Sequence, residues 1–251
     1  MAEFVIVLVL FGLTFGLGRY FLVNDHGAKE PMRAIITAFI IGVAAAIVGA
    51  LLEGWLVPEL LNFNSGSFYS LLKVGFIEEG VKFLPLAWLI YKKPYFNEVT
   101  DGVIYFGICG MGFGLLENLA YTHSSGFDVG IARIILVPFF HAATSGITGY
   151  YLAKAKVSHA SLLKVFGVFL IFVFLHAAYD FGLSSGSDFY ALISVFTTLT
   201  INGALIIYYR QASLLDLRLG LSSDGHNAYC RHCGKSNPDH NLYCTYCGNQ
   251  A

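Results

Sequence analysis

Seven stretches of this chain are predominantly apolar over about 20 residues, the length an α-helix needs to cross the hydrocarbon core of a bilayer. They run roughly over 3–23, 34–57, 67–91, 99–121, 128–153, 160–183 and 188–210. In hydrocarbon each backbone N–H and C=O must be satisfied within the protein, so each stretch reads as a helix. Composition agrees: 12% of residues are charged and 56% are hydrophobic, where a soluble domain carries about 25% charged residues. A net charge of −1 offers no basic field for nucleic acid. The opening MAEFVIVLVL has no Lys or Arg before its apolar run, so it reads as a retained helix rather than a secretory signal. The expected fold is an all-α polytopic membrane protein with about seven transmembrane helices.

Charge then orients the chain. Arg19, Lys29, Arg33, Lys92, Lys93, Lys154, Lys156, Lys164, Arg210, Arg218, Arg231 and Lys235 all fall on one side of seven alternating spans, and the other side has none. By the positive-inside rule the N-terminus lies outside and the C-terminus in the cytoplasm of a cell-membrane protein. Lys73, Lys82 and Arg133 remain, inside the apolar windows and outside this count. Arg133 is expected to snorkel outward or meet an anionic headgroup. The organisation that follows is a membrane domain over 1–210, a polar linker over 211–228 and a small module over 229–251.

That module holds four of the five cysteines. Cys230 and Cys233 form one CxxC pair, Cys244 and Cys247 another, with ten residues between them. Two such knuckles wrap one tetrahedral zinc with four thiolates. A closed site of this kind is structural, and it gives a module too small for its own core a reason to fold. The reducing cytoplasm disfavours disulfides as the alternative. The fifth, Cys109, reads as a small buried thiol.

Six ionisable residues lie inside the membrane windows: Glu78, Glu79, Glu117, His141, His176 and Asp180. An acidic residue at bilayer depth is unfavourable by roughly 2.5–3.5 kcal/mol on insertion scales, and such residues mark function by default. Glu78 and Lys82 are four apart and so able to pair, which leaves Glu79 free, or the reverse. Pro85 follows one turn later and should kink the third helix. His176 and Asp180 are also four apart, so both can face one site, or Asp180 can orient the imidazole. The bland readings are a structural ion pair for Glu78 with Lys82, and an interhelical hydrogen bond for His141. Tyr179 and Asn118 read as packing groups. Glu53 and Asp101, near helix ends, read as solvated.

The set Glu78-Glu79-x-x-Lys82, Phe113-x-x-x-Glu117, His141 and His176-x-x-x-Asp180 resembles the motifs of the PrsW family of intramembrane proteases, in order and in helix placement. The resemblance covers roughly residues 67–183. More distantly the chain is similar to the CAAX-prenyl-protease and bacteriocin-immunity membrane proteins. Those usually carry EExxxR and FxxxH, where this chain has Lys82 and Glu117. The resemblance implies a peptidase acting on membrane-tethered proteins, with anti-sigma factors as the substrate class. It also implies metal dependence, although a metal-free glutamate mechanism has been considered for its relatives.

Combined with peptide-hydrolysis chemistry, these residues give a candidate mechanism. Glu117, His141 and His176 hold a catalytic zinc, and Glu78 or Glu79 acts as general base with the other paired to Lys82. Asp180 orients His176 or fills a fourth place. At 1.5 Å per residue, Glu78 and Glu79 lie about 17 Å from the outer ends of their helix, Glu117 about 6 Å, His141 about 20 Å, His176 about 11 Å and Asp180 about 5 Å. The site should therefore open outward, as a first-cleavage protease requires. The alternatives are an ion- or proton-coupled transporter, which would show inverted repeats, and a membrane scaffold whose ribbon recruits a cytoplasmic partner.

Overall fold

The computed structural model describes residues 2–25, 27, 29–59, 67–134, 136–221, 228–229, 236–237 and 246–247. Its helices, in chain order, are α1 (Ala2–Val23), α2 (Met32–Leu56), α3 (Phe68–Ile90), α4 (Val99–Ser125), α5 (Phe127–Arg133), α6 (Leu136–Val157), α7 (Leu162–Ser184) and α8 (Asp188–Leu219). Each apolar window became a helix, except that the fifth gives two, α5 ending at Arg133 and α6 starting at Leu136. Two short strands, β1 (Ala228–Tyr229) and β2 (Ser236–Asn237), pair antiparallel within the terminal module. Of the four module cysteines, Cys230, Cys233 and Cys244 lie outside the described residues.

Four helices, α2, α4, α7 and α8, are long and apolar enough to cross a membrane, and α1 adds the apolar segment Phe11–Val23. α3 and α6 have 23 and 22 residues, about 33–35 Å at 1.5 Å per residue. They are close to α7 in length and more polar: α3 carries Lys73, Glu78, Glu79 and Lys82, and α6 carries His141, several Thr and Ser residues, and two lysines. α3 runs unbroken through Pro85.

α4 is the hub. It packs against α1, α2, α3, α5, α6 and α8, and Val99–Leu115 is buried without interruption. Glycine allows this density. A Cβ on Gly102 would lie 2.1 Å from the Gly149 carbonyl oxygen of α6, and one on Gly110 would lie 2.1 Å from the His141 carbonyl oxygen. Small residues at these crossings let two backbones touch where apolar lipid gives helices no other reason to associate. Gly110→Ala should therefore push away the turn of α6 that carries His141. The expected outcome is a loss of about 1–3 kcal/mol of stability, together with reduced proteolysis. Gly80→Ala is the control, since a Cβ there meets nothing within 4 Å. Thermal midpoints in detergent and cleavage rates of the two variants check the contrast.

The end of α4 away from the motif residues is capped from two directions. Asp101 Oδ2 accepts the N–H groups of Asn97 and Glu98, both at 2.7 Å. Asp216 of α8 accepts those of Val99 at 2.7 Å and Thr100 at 2.9 Å. Asp101 is thus fully buried, not solvated as its place near a helix end suggested, because a carboxylate satisfies the orphan N–H groups of a helix start. Residues 211–219 continue α8, with Ala212 and Asp216 buried.

Candidate active site

The six intramembrane residues converge. All lie toward the same end of the bundle, formed by the start of α3, the end of α4, the start of α6 and the end of α7. Counted from those ends, Glu78 is about 15 Å in, Glu117 and His176 about 12 Å, His141 about 8 Å and Asp180 about 6 Å. For His141 the count from the start of α6 is shorter than the about 20 Å counted from the start of the apolar window at 128. α6 starts only five residues before it, which sets it level with its neighbours.

Glu78 and Glu79 are adjacent on α3, so their side chains diverge by about 100° around the helix and enter different environments. Glu79 Oε1 accepts Lys82 Nζ at 2.7 Å, His176 Nδ1–H at 2.9 Å and Thr144 Oγ1 at 3.3 Å. Lys82, 1% exposed, therefore pairs with Glu79 three residues before it rather than with Glu78 four before. Glu78 Oε2 sits 3.3 Å from His176 Nε2 and is buried with no hydrogen-bond partner.

Lysine has only donors, and this fixes the first imidazole. Lys82 Nζ donates to His141 Nδ1 at 2.9 Å, so His141 Nε2–H donates to Glu117 Oε2 at 2.5 Å. The lysine also lies over the Phe113 ring, 4.6 Å from its centroid. The second imidazole donates Nδ1–H to Glu79, and in its neutral form Nε2 then carries the lone pair. Glu78 Oε2 and Asp180 Oδ2 face that atom, at 3.3 and 3.6 Å. Asp180 keeps 26% of its side chain exposed. Each histidine is thus held by a carboxylate, an arrangement that fixes ring orientation and raises basicity.

Three residues that the motifs do not name join the cluster. Arg133 on α5 binds Glu117 Oε1 through Nη2 at 2.5 Å and lies over the Tyr121 ring at 3.9 Å. Its partner is a carboxylate within the protein rather than a headgroup's anion. The signal for it was in the sequence: Arg133 and Lys73 are the positive charges nearest an end whose loops have none. Thr144, one turn below Phe140 and His141 on α6, adds a donor to Glu79. Glu53, read as solvated, is half-buried on α2 with its carboxyl against that of Glu78.

Comparison with known proteins gives the same answer by an independent route. Residues 30–206 match the model of the PrsW family intramembrane metalloproteases, and residues 229–250 match a zinc-ribbon domain. Protease PrsW of Bacillus subtilis (strain 168) is 34% identical over 173 residues, which covers 67% of this chain and 78% of the relative. Protease PrsW of Shouchella clausii (strain KSM-K16) is 31% identical over 192 residues, covering 75% and 88%. Protease PrsW of Clostridioides difficile (strain 630) is 30% identical over 167 residues, covering 63% and 70%. No solved structure matches. Because the matched stretch encloses every member of the buried cluster and takes in most of the chain, this multi-pass membrane protein belongs to the PrsW family of intramembrane metalloproteases.

Proposed function

We propose that Glu78, His141 and His176 hold the catalytic zinc of this peptidase and that Asp180 moves the proton during hydrolysis. The observation that carries this reading is the contrast between the two glutamates: Glu79 is saturated with partners, whereas Glu78 turns an unpartnered oxygen toward His176 Nε2. One donor atom from each of Glu78, His141 and His176 lies within 4.8 Å of the others. Two imidazoles and a carboxylate are a donor set of catalytic zinc sites. Glu117, assigned to the ligand set from the motifs, instead orients His141 in this proposal, as Glu79 orients His176. A zinc held there supplies Lewis acidity, which polarises the peptide carbonyl and acidifies water.

The chain's own groups do the rest. Asp180, the most open of the site carboxylates, takes a proton from water as the water oxygen bonds to the carbonyl carbon and the carbonyl π pair moves onto its oxygen. When the C–N bond breaks, Asp180 returns that proton to the departing nitrogen. Lys82 offsets the charge of Glu79, and zinc binding by His141 would take the Nδ1 lone pair that accepts Lys82 in the metal-free arrangement, leaving the lysine to Glu79. Asp180→Asn keeps the shape and removes the base, so cleavage should fall by about 10²–10⁴-fold.

Seven helices cross the bilayer in this reading, with the N-terminus outside and the ribbon in the cytoplasm. The twelve-to-none distribution of Lys and Arg supports it. The site then opens outward, and the substrate is a membrane-anchored anti-sigma factor cut near its outer membrane boundary. The ribbon's zinc is structural, and its partner is a cytoplasmic protein. The test is co-expression with single-span anti-sigma factors tagged at both ends. Wild type should release an outer fragment that Asp180→Asn does not, and a cysteine at position 125 should label from outside the cell. Equal release by both proteins, or labelling only after lysis, would overturn the reading.

A further inference from the structure

Peptide hydrolysis places negative charge on what was the carbonyl oxygen, and a site that accelerates it aims hydrogen-bond donors at that oxygen. Most donors here are already spent. Lys82 serves Glu79 and His141, the bound N–H of each imidazole serves a glutamate, and Thr144 serves Glu79. Among the described residues, buried donors without a partner near the site are Tyr179 Oη, Arg133 Nε and Ser145 Oγ. Ser145 lies a full turn further into the bundle than His141. Tyr179 and Arg133 lie toward the open end, where Asp180 is.

Tyr179 follows His176 by three residues and precedes Asp180 by one, so Tyr179 and Asp180 diverge by about 100° and flank His176 on either side along α7. The Tyr179 ring is 3% exposed and stacks on Phe140, with centroids 4.8 Å apart and planes 20° apart. Phe140 in turn meets the His176 ring edge-on at 5.4 Å and the His141 ring at 5.8 Å. The phenol is therefore clamped to both histidines through one shared ring. Its hydroxyl lies within electrostatic reach of Arg133, Asp180 and Glu117. Leaving a buried hydroxyl unpaired costs about 1–3 kcal/mol, and phenylalanine would fill the same space without that penalty.

We infer that the Tyr179 hydroxyl, seconded by Arg133 Nε–H, donates a hydrogen bond to the oxygen of the scissile carbonyl as it gains charge. No proton is transferred. The hydroxyl keeps its hydrogen throughout and is released when the carbonyl re-forms. The inference rests on the reading that hydrolysis occurs at the His176–Asp180 end of the cluster.

The experiment is Tyr179→Phe in the full-length protein, assayed on a quenched-fluorescence peptide spanning the bond that wild type cuts. The expected result is a kcat lowered by about 10²–10³-fold, with KM and zinc content nearly unchanged and a thermal midpoint equal or higher. Affinity for a peptide with a phosphinic group at the cleaved position should drop by the same factor as kcat/KM, because only transition-state interactions are lost. Affinity for the product peptide should hold. Wild-type kcat in Tyr179→Phe overturns the inference alone, as does a loss of rate accompanied by a lower midpoint or by lost zinc. A wild-type protein that binds zinc in the membrane domain and cuts no membrane protein overturns the reading beneath it, and the inference with it.

Discussion

Glu78→Gln should give a folded protein that has lost cleavage, whereas Glu79→Ala should lose cleavage and stability together. The two residues are neighbours in sequence and identical in chemistry, so only their surroundings can separate them. Glu78 Oε2 has no hydrogen-bond partner, and an isosteric amide keeps its shape and can still hydrogen-bond the Glu53 carboxyl, so little that holds the helices is lost. It does remove a proposed zinc ligand, worth several kcal/mol of transition-state stabilisation, or at least about 10²-fold in rate. Glu79, by contrast, is the anion for a lysine that is 1% exposed. Deleting it leaves an ammonium in the interior without its counter-charge, a loss of about 3–5 kcal/mol. It also leaves His176 without the carboxylate that orients it. Melting in detergent, followed alongside cleavage, separates the two. The reverse pattern, with Glu78→Gln unfolding and Glu79→Ala merely inactive, would exchange the roles assigned to them.

Zinc content should respond to the two ends of the chain independently. The full-length protein is expected to carry two equivalents, one on Cys230, Cys233, Cys244 and Cys247 and one in the membrane domain. His176→Ala should remove the second and leave the first. Serine at Cys230 and Cys244 together should do the opposite, because two thiolates cannot close a tetrahedral site. The combined variant should bind none. Metal analysis of the four purified proteins measures this directly. A single equivalent in wild type, unaffected by His176→Ala, would mean that the cluster works without zinc and that Glu78 acts on water unaided.

Much of this was legible from residue types alone. Helix positions followed from the length of the apolar runs, since hydrocarbon allows the backbone no other way to satisfy itself. The six ionisable residues stood out because burial penalises them, and they do meet. What the sequence could not rank was which partner each would take. Lys82 has Glu78 at one helical spacing and Glu79 at another, and helix geometry permits both. The choice of Glu79 depends on where α6 and α7 set His141 and His176. Arg133 was misread for a similar reason. Inside the window 128–153 it looked like a charge in lipid, whereas α5 is a separate short helix that ends at Arg133 and sets it beside Glu117. The burial of Glu53 and Asp101 was also out of reach, because proximity to a helix end predicts solvation only when no other helix covers that end.

The position of Asp216 decides where the protease domain stops. The apolar run ends near residue 210, but the carboxylate that closes the start of α4 comes from six residues beyond it. With 32 residues, α8 is about 48 Å long, well over the roughly 30 Å of a bilayer's hydrocarbon. Its last turns thus belong structurally to the hub helix. A chain shortened to 210 would lack both the ribbon and this cap, and its failure would be mistaken for a need for the ribbon. Ending the chain after residue 221 removes only the ribbon and its lead, and makes the two contributions separable.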